Sequence, residues 1–518
     1  MRSFAVARAN CAVLSQARRH QAVVSFQCAP LGKQRCDAAE KSLDDCIREV
    51  FNVVRARDPN EVEFLQAVEE VVNSLRPLFA QRPDYLACVP TICEPERVVQ
   101  FRVSWIDDAG HQQVNRGFRA QFSQTLGPYK GGLRYHPSVN MSIVKFLGFE
   151  QIFKNALTGL PIGAGEGGSD FDPKGKSDLE VMRFTQSFMT ELYRHIGQDC
   201  DVPAGDIGVG QREIGYLYGQ WKRITAQVTG VLTGKGSHWG GSLIRPEATG
   251  YGLVYISQYA LQEVGQSMKG KRVLISGSGN VAQFAAQKVM QLGGKILTFS
   301  DSSGTLLEPA GFTHEQYDAL VAIKQRRGRC RDYLQLPAGV KSPVAQYFDH
   351  QRPWTVASAD VVMPCATQNE IDATDAAAIL ANGTQLVSEG ANMPSTRGAI
   401  ELFQAAPGVI FIPAKAGNAG GVAVSALEMA QNSARLPWSR ERVDAELQHV
   451  MQRIFDDCKH TAARLGYDGD YQLGANAASF QTLCEAMRAQ GQVYLCPATQ
   501  SRYESLADND NDADANGN

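Results

Sequence analysis

The chain has 518 residues, which is too long for one compact core and indicates two or three domains. Its net charge of −3 offers no strong field for nucleic acid or a membrane surface, and no apolar run is long enough to predict a transmembrane helix. The twelve cysteines include no C-x-x-C pair, so no metal site is expected.

The two ends of the chain differ from its middle. Residues 1–36 contain six basic side chains and no acid, a composition that resembles an organelle transit peptide; a disordered extension is the alternative. We predict a mitochondrial location first, with a plastid or the cytoplasm as alternatives. At the other end, aspartates alternate with Asn and Ala, and such a stretch buries too little apolar surface to offset its ordering entropy. Residues 496–518 are therefore predicted to be a disordered acidic tail.

Four loops in the first half are dense in glycine, lysine and acid. Turn formation explains single glycines, but it does not easily explain four such loops placed between helical stretches such as 178–196. The loops occupy residues 127–134, 148–154, 161–173 and 203–210.

Residues 273–282 read as a strand, a glycine turn and the start of a helix. Gly277 permits the tight turn, Gly279 lets the backbone approach a pyrophosphate, and the small Ala282 lets the helix sit close to the strand. The helix N-terminus at Asn280 and Val281 offers free N–H groups to phosphates. A second strand over 295–300 follows about one helix later, which is the context that a dinucleotide site requires.

The second strand runs into Ser300, Asp301 and Ser302. An acid here accepts a hydrogen bond from the ribose in NAD sites, but it repels a 2′-phosphate unless it is neutralised. The serines could donate to phosphate oxygens, and a basic run downstream could supply cations, although a solvated helix face is the alternative for each of its members. NADP is favoured over NAD. The basic run comprises Lys324, Arg326, Arg327, Arg329 and Arg331.

Residues 360–367 and 385–392 each read as a buried strand running into a polar loop. Ligands of open parallel sheets lie beyond the carboxyl ends of the strands. Asn392 is therefore predicted to contact the cofactor near the nicotinamide ribose, with loop capping as the alternative.

With the segments 240–252 and 415–421, these motifs resemble the hexameric glutamate dehydrogenases, in the NADP-linked branch of the Glu/Leu/Phe/Val dehydrogenases, from about residue 45 to 493. The resemblance implies an α/β fold with helical termini and two domains. A parallel-sheet substrate domain would comprise residues 37–240 plus 415–495, and a Rossmann-type dinucleotide-binding domain would be inserted at 241–414. It also implies a homohexamer that interconverts L-glutamate with 2-oxoglutarate and ammonium, a reaction of ammonium assimilation.

The resemblance also implies roles for individual residues. Glutamate carries two carboxylates and an amine, so its site needs at least two strong donors and a proton acceptor. Lys130 and Ser425 would hold the side-chain carboxylate, Gln151, Lys154 and Asn418 would surround the α-carboxylate, Ala204 and Val422 would shape the pocket, Asp206 would transfer protons, and Thr249 and Asn280 would line the cofactor.

One position departs from the family pattern. The family's catalytic loop resembles Gly-Gly-x-Lys-Gly-Gly-Ser-Asp-Phe-Asp-Pro, and this chain has Glu166 in place of the lysine. A carboxylate cannot donate a proton unless it is protonated, and beside Asp206 it would form a like-charge pair that raises the pKa of one member. It could also pair with Lys154 or Lys130. Three interpretations follow: an enzyme whose turnover Glu166 cripples, an enzyme in which a neighbouring group compensates, or a non-catalytic, NADP-binding structural or regulatory subunit.

Overall fold

The structure is a computed structural model that describes residues 42–494. The predicted transit segment and the predicted acidic tail lie outside these residues. The helices are α1 (Leu43–Arg57), α2 (Val62–Ser74), α3 (Arg76–Gln81), α4 (Val89–Ile92), α5 (Met141–Leu157), α6 (Asp178–Leu192), α7 (Gln211–Thr225), α8 (Ala248–Glu263), α9 (Asn280–Gln291), α10 (His314–Gln325), α11 (Ala373–Ala381), α12 (Arg397–Ala405), α13 (Ala414–Gly417), α14 (Gly420–Ala434), α15 (Arg440–Arg464) and α16 (Tyr471–Ala489). The strands are β1 (Arg97–Ile106), β2 (Gln112–Ser123), β3 (Tyr129–Tyr135), β4 (Ala164–Ser169), β5 (Asp201–Gly205), β6 (Arg272–Ile275), β7 (Lys295–Ile296), β8 (Thr298–Asp301), β9 (Gly304–Leu307), β10 (Gln346–Asp349), β11 (Val361–Met363), β12 (Leu386–Ser388) and β13 (Ile410–Ile412).

The first half of the chain forms a five-stranded sheet in the order β1-β2-β4-β3-β5. The strands β4, β3 and β5 are parallel, whereas β1 pairs antiparallel with β2 and β2 antiparallel with β4. The predicted α/β fold is confirmed, and the antiparallel hairpin is an addition to the parallel sheet that was expected. Three of the four glycine-rich loops become β3, β4 and β5, so this sheet brings their side chains together.

The second half contains a parallel sheet in the order β13-β12-β11-β6-β7. Its strand order reverses between β6 and β11, and ligands of doubly wound sheets bind at such a switch point. Three further strands, β8 to β10, form a small antiparallel sheet beside it. The predicted strand–turn–helix over 273–282 is present as β6 and α9.

The last helix of the chain returns to the first sheet. Phe480 of α16 packs edge-on against Phe79 of α3, with ring centroids 5.5 Å apart, and it stacks near Phe153 of α5. Hydrophobic side chains from both ends of the described chain therefore share one core, while α8, α9, α14 and α15 contribute to another. The domain bounds given above stay a prediction.

Candidate active site

Glu166 lies in the middle of β4, opposite Ala120 of β2, and its side chain is 4% exposed. The backbone N–H of Gly132, in β3, donates to Glu166 Oε2 over 2.8 Å. A Cβ atom at Gly132 would lie 2.7 Å from both Glu166 Oε1 and Asp206 Cβ. Glycine is therefore needed at residue 132, and the two acidic side chains meet above it.

The surroundings of Glu166 disfavour the ionised form of its carboxyl group. Burial, followed by the negative charge of Asp206, raises the pKa of Glu166 to about 7, and Arg119 and Arg134 oppose that shift. The expected like-charge effect with Asp206 is thus present, although burial is the larger cause. Among residues 42–494, neither Lys130 nor Lys154 forms an ion pair with Glu166.

This raised pKa has a consequence for stability. The ordinary pKa is 4.5, so between pH 4.5 and 7 the native state holds a proton that the unfolded chain has lost, and the free energy of unfolding falls as pH rises. We expect Glu166→Gln to stabilise the protein at pH 8 by on the order of 2–3 kcal/mol, with the gain vanishing towards pH 4.5. Urea denaturation at several pH values measures this, and a gain independent of pH would contradict it.

Asp206 follows β5, and Arg134 of β3 donates from Nε to its Oδ2 over 2.6 Å. Arg134 is buried, and Asp206 and Glu166 are the two acids that favour its charge. This pairing fixes the Asp206 carboxylate beside Glu166. No role for Arg134 was predicted from the sequence, although a cation two residues after the Gly131–Gly132 pair was a signal that could have identified it.

The helix α5 carries Gln151 and Lys154 to a cleft whose other wall contains Asn392 and Asn418. Lys154 Nζ lies 3.5 Å from Asn392 Oδ1, and Asn418 Nδ2 donates to the same oxygen over 2.8 Å. Burial lowers the pKa of Lys154, while Glu166 and Asp206 support its charge. Gln151 instead donates to Asn155 on its own helix, 2.9 Å away. The cleft therefore brings Lys154, Asn392 and Asn418 together.

Lys130 of β3 is 1% exposed and its Nζ donates to the carbonyl of Val202, 2.8 Å away. Burial, with the positive charges of Arg245 and Arg119, lowers its pKa well below the ordinary value. Within the described chain, the Ser425 hydroxyl and Arg245 Nε are buried without a hydrogen-bond partner. No role was predicted for Arg245, although it lies within the segment 240–252. Together these groups are donors suited to a buried anion.

The remaining pocket positions surround these donors. Ala204 is buried in β5 and pairs with Gly132 in the sheet register. Val422 lies half-buried on α14, three residues before Ser425. Thr249 and Arg245 pack over Gly421 at the start of the same helix. The helix α14 therefore links the Lys130 side of the pocket to Thr249, a predicted cofactor contact.

The turn after β6 has the geometry that a phosphate-binding loop needs. Gly277 has a φ of 80°, a left-handed conformation that favours glycine. Its N–H donates to the Ser300 hydroxyl over 2.8 Å, so Ser300 holds the turn in place. Asn280 and Gly279 are exposed, and no described atom lies within 4 Å of a Cβ built at Gly279. The start of α9 is thus open to a ligand, and Val281 packs behind it against Gly390.

Asp301, at the end of β8, is already engaged. It accepts hydrogen bonds from Ser303 and from the Cys330 N–H, and Lys324 Nζ lies 3.6 Å away. Although burial raises its pKa, these bonds and the lysine bring it down to about 2. The exposed Ser302 accepts a hydrogen bond from Arg329 over 2.9 Å. The negative charge of Asp301 is thus balanced by Lys324. Ser302 and Arg329 lie at the surface beside it, and such donors suit a 2′-phosphate.

The five residues of the basic run therefore do not share one role. Lys324 and Arg329 reach Asp301 and Ser302, whereas the other three arginines point into solvent, as a solvated surface predicts. Those three are Arg326, Arg327 and Arg331.

Two further features are absent from residues 42–494. No group of three or more His, Cys, Asp or Glu side chains is placed to hold a metal ion. No helix in this range combines the length and apolar character required to cross a membrane.

Two family descriptions match the chain. Residues 95–223 match the Glu/Leu/Phe/Val dehydrogenase dimerisation domain, and residues 240–491 match the Glutamate/Leucine/Phenylalanine/Valine dehydrogenase family. The NADP-specific glutamate dehydrogenase of Giardia intestinalis is 55% identical over 86% of this chain and 98% of its own length. The enzyme of the same description from Escherichia coli K12 is 55% identical over 85% of this chain and 97% of its own.

Solved structures agree with these matches. Plasmodium falciparum glutamate dehydrogenase superposes with a TM-score of 0.84 at 53% identity, covering 86% of this chain and 95% of that one. The hetero-hexameric glutamate dehydrogenase of Thermus thermophilus superposes with a TM-score of 0.72 at 25% identity, over 88% and 100% of the two chains. The chain belongs to the glutamate/leucine/phenylalanine/valine dehydrogenase family.

Proposed function

We propose that this protein is an NADP-dependent glutamate dehydrogenase, interconverting L-glutamate with 2-oxoglutarate and ammonium, and that Glu166 slows its turnover. The observation that carries the substrate class is the buried donor set of Lys130, Arg245 and Ser425, which can receive a second carboxylate. Relatives at 55% identity are described as NADP-specific glutamate dehydrogenases. A sister enzyme for an apolar amino acid would have no use for these buried donors.

Different side chains of this protein bind the substrate and transfer protons. Lys154 and Asn418 bind the α-carboxylate at the cleft, which Gln151 also lines. Asp206, oriented by Arg134, accepts a proton from the incoming ammonium and returns it to the hydroxyl group of the carbinolamine, which leaves as water. The nicotinamide, when bound, supplies or accepts the hydride at the substrate α-carbon. Closing the cleft between α5 and the Asn392 loop excludes water from that transfer.

Glu166 stands where the family pattern has the lysine that polarises the carbonyl. An ionised carboxylate repels the developing oxyanion instead, and only the protonated form can donate to it. Because burial and Asp206 raise the pKa of Glu166 to about 7, the protonated form is populated near neutral pH. Turnover is therefore retained in part and is greater at acidic than at alkaline pH.

A steady-state assay with 2-oxoglutarate, ammonium and NADPH tests the proposal. We expect slow oxidation of NADPH that requires both co-substrates and rises as pH falls from 8 to 6. Turnover as fast as that of the Giardia relative would contradict the proposal that Glu166 slows this enzyme. Failure to bind NADPH would contradict the proposal that NADP is the cofactor.

Cofactor choice is tested at Arg329. The Arg329→Ala change should weaken NADPH binding about tenfold and leave NADH binding unchanged, because one charge-assisted hydrogen bond to the 2′-phosphate is lost. Titration of nucleotide fluorescence measures both affinities without turnover. Arg326→Ala, in the exposed part of the same basic run, is the control and should change neither. An equal loss for both nucleotides would show that Arg329 does not read the 2′-phosphate.

A second candidate function is a non-catalytic, NADP-binding subunit with a structural or regulatory role. Two observations favour it: Glu166 fits its buried position without disturbing the sheet, and the Thermus thermophilus relative is hetero-hexameric. We propose a homohexamer for the enzyme itself, supported by the match to a dimerisation domain. Sedimentation of the purified chain, alone and with an active paralogue, separates the two assemblies.

We propose a mitochondrial location, supported by the basic, acid-free composition of residues 1–36. A fluorescent protein fused behind this segment should be imported into mitochondria. Import into plastids, or retention in the cytoplasm, would replace that proposal with one of its alternatives.

A further inference from the structure

Glu428 is a fully buried acid on α14, and neither the family motifs nor the proposed mechanism uses it. It follows Ser425 by one helical turn and shares a helix face with Ser425 and Gly421. Lys235 Nζ donates to Glu428 Oε1 over 2.7 Å, and the Gly234 N–H donates to Oε2 over 3.1 Å. This carboxylate is therefore held in one orientation, directly behind the pocket.

Three cations surround this acid: Lys130 and Lys235 are buried, and Arg245 is half-buried. Lys235 contacts it, while Arg245 and Lys130 interact with it through their charges. Burial lowers the pKa of all three, and Glu428 supports the charged form of each one.

A second acid that supports the charge of Lys130 is bound by other side chains. Lys130 also faces Asp201 of β5, but Asp201 accepts from Arg119 Nε and from Gln121 Nε2, each over 2.9 Å. Arg119 in turn adds a positive charge beside Lys130. The Glu428 carboxylate is shared between its ion pair with Lys235 and the charges of Arg245 and Lys130, and among residues 42–494 it is the acid that supports the charge of Arg245. A buried cation that lacks such a partner either becomes deprotonated or moves out of its buried position.

We propose that Glu428 is a positioning residue for substrate, which partly balances the positive charge of Lys130, Lys235 and Arg245 and so holds Lys130 and Arg245 in place for the distal carboxylate of a dicarboxylate. The inference rests on the proposed function, because it takes that carboxylate as the ligand of the pocket. Glu428 acts through the two cations and does not itself touch the substrate.

The signature of this role is the dependence of ligand affinity on pH. Without Glu428, the pKa of Lys130 falls further, and the incoming dicarboxylate must bring a proton with it. Above that lowered pKa, the Kd should then rise about tenfold for each pH unit. In the unaltered protein Glu428 supports the charged form of Lys130, so this steep rise in Kd should begin at a higher pH.

Calorimetric titration of the full-length protein with glutarate, a non-reacting dicarboxylate, tests this between pH 6 and 9. Glu428→Gln should bind glutarate about tenfold more weakly at pH 8, with the difference disappearing or reversing at pH 6. Lys235→Met is the matched control, since it breaks the same ion pair but retains the carboxylate, and its pH slope should remain that of the unaltered protein.

Parallel pH profiles for Glu428→Gln and the unaltered protein would overturn the inference while leaving the proposed function intact. Failure of the unaltered protein to bind glutarate, with NADPH binding preserved, would overturn both. If Glu428→Gln does not fold, Glu428→Asp retains the charge at a shorter reach. That variant should show weaker binding with the original pH slope, and a steep slope would count against the proposal.

Discussion

Replacing Glu166 with lysine should raise kcat for the reductive amination of 2-oxoglutarate by about 10²- to 10⁴-fold, the range associated with one well-placed acid–base group. The new ammonium group would stand beside Asp206 and above Gly132, where the Glu166 carboxyl group now lies. There it would stabilise the developing oxyanion instead of repelling it. Stopped-flow and steady-state measurements of NADPH oxidation would give the change.

Glu166→Gln is the matched control for this experiment. It removes the negative charge without supplying a cation, so it should recover only a small part of the gain and should abolish the rise in activity at acidic pH. No gain from Glu166→Lys, with NADPH binding intact, would favour the non-catalytic subunit. Turnover that is already fast before any substitution would instead show that a neighbouring group compensates for Glu166.

The second large effect is expected at Lys130. In the Glu166→Lys protein, Lys130→Met should lower kcat/KM for 2-oxoglutarate by about 10²- to 10³-fold, because one partner of a buried charge-assisted contact is lost. For 2-oxobutyrate, a substrate that lacks the distal carboxylate, the same change should lower kcat/KM much less. Lys130 is 1% exposed, so methionine replaces the stem of the side chain without opening the pocket to water.

Lys174→Met, at an exposed lysine in the same half of the chain, is the control and should leave both substrates unaffected. Equal losses for 2-oxoglutarate and 2-oxobutyrate would show that Lys130 supports the fold of the pocket and does not select the carboxylate. Glutarate titration provides the same comparison if turnover stays too slow to measure.

Local sequence was sufficient for the nucleotide turn. A strand of buried aliphatic residues, a glycine at a left-handed φ and a small residue in the helix are short-range requirements, so β6, Gly277 and α9 could be predicted from adjacent residues. The same holds for α6, whose Ser177 and Glu180 form a capping box at its start.

The roles of Asp301 and Arg134 could not be read in this way. Whether Asp301 repels a 2′-phosphate depends on Lys324 and Cys330, which lie more than twenty residues further along the chain. Arg134 becomes the partner of Asp206 only because β3 and β5 are neighbours in the sheet. Side chains distant in sequence determined both charge states.

The sequence by itself determined the fold class and the family, together with the substrate and cofactor that the family resemblance implies, because these follow from motifs whose residues are close along the chain. It also identified Glu166 as the position that departs from the pattern. Only the tertiary structure decided what surrounds that side chain: burial and the negative charge of Asp206, which together raise its pKa to about 7. Burial and charge come from packing between separate strands and helices, and no local pattern encodes them.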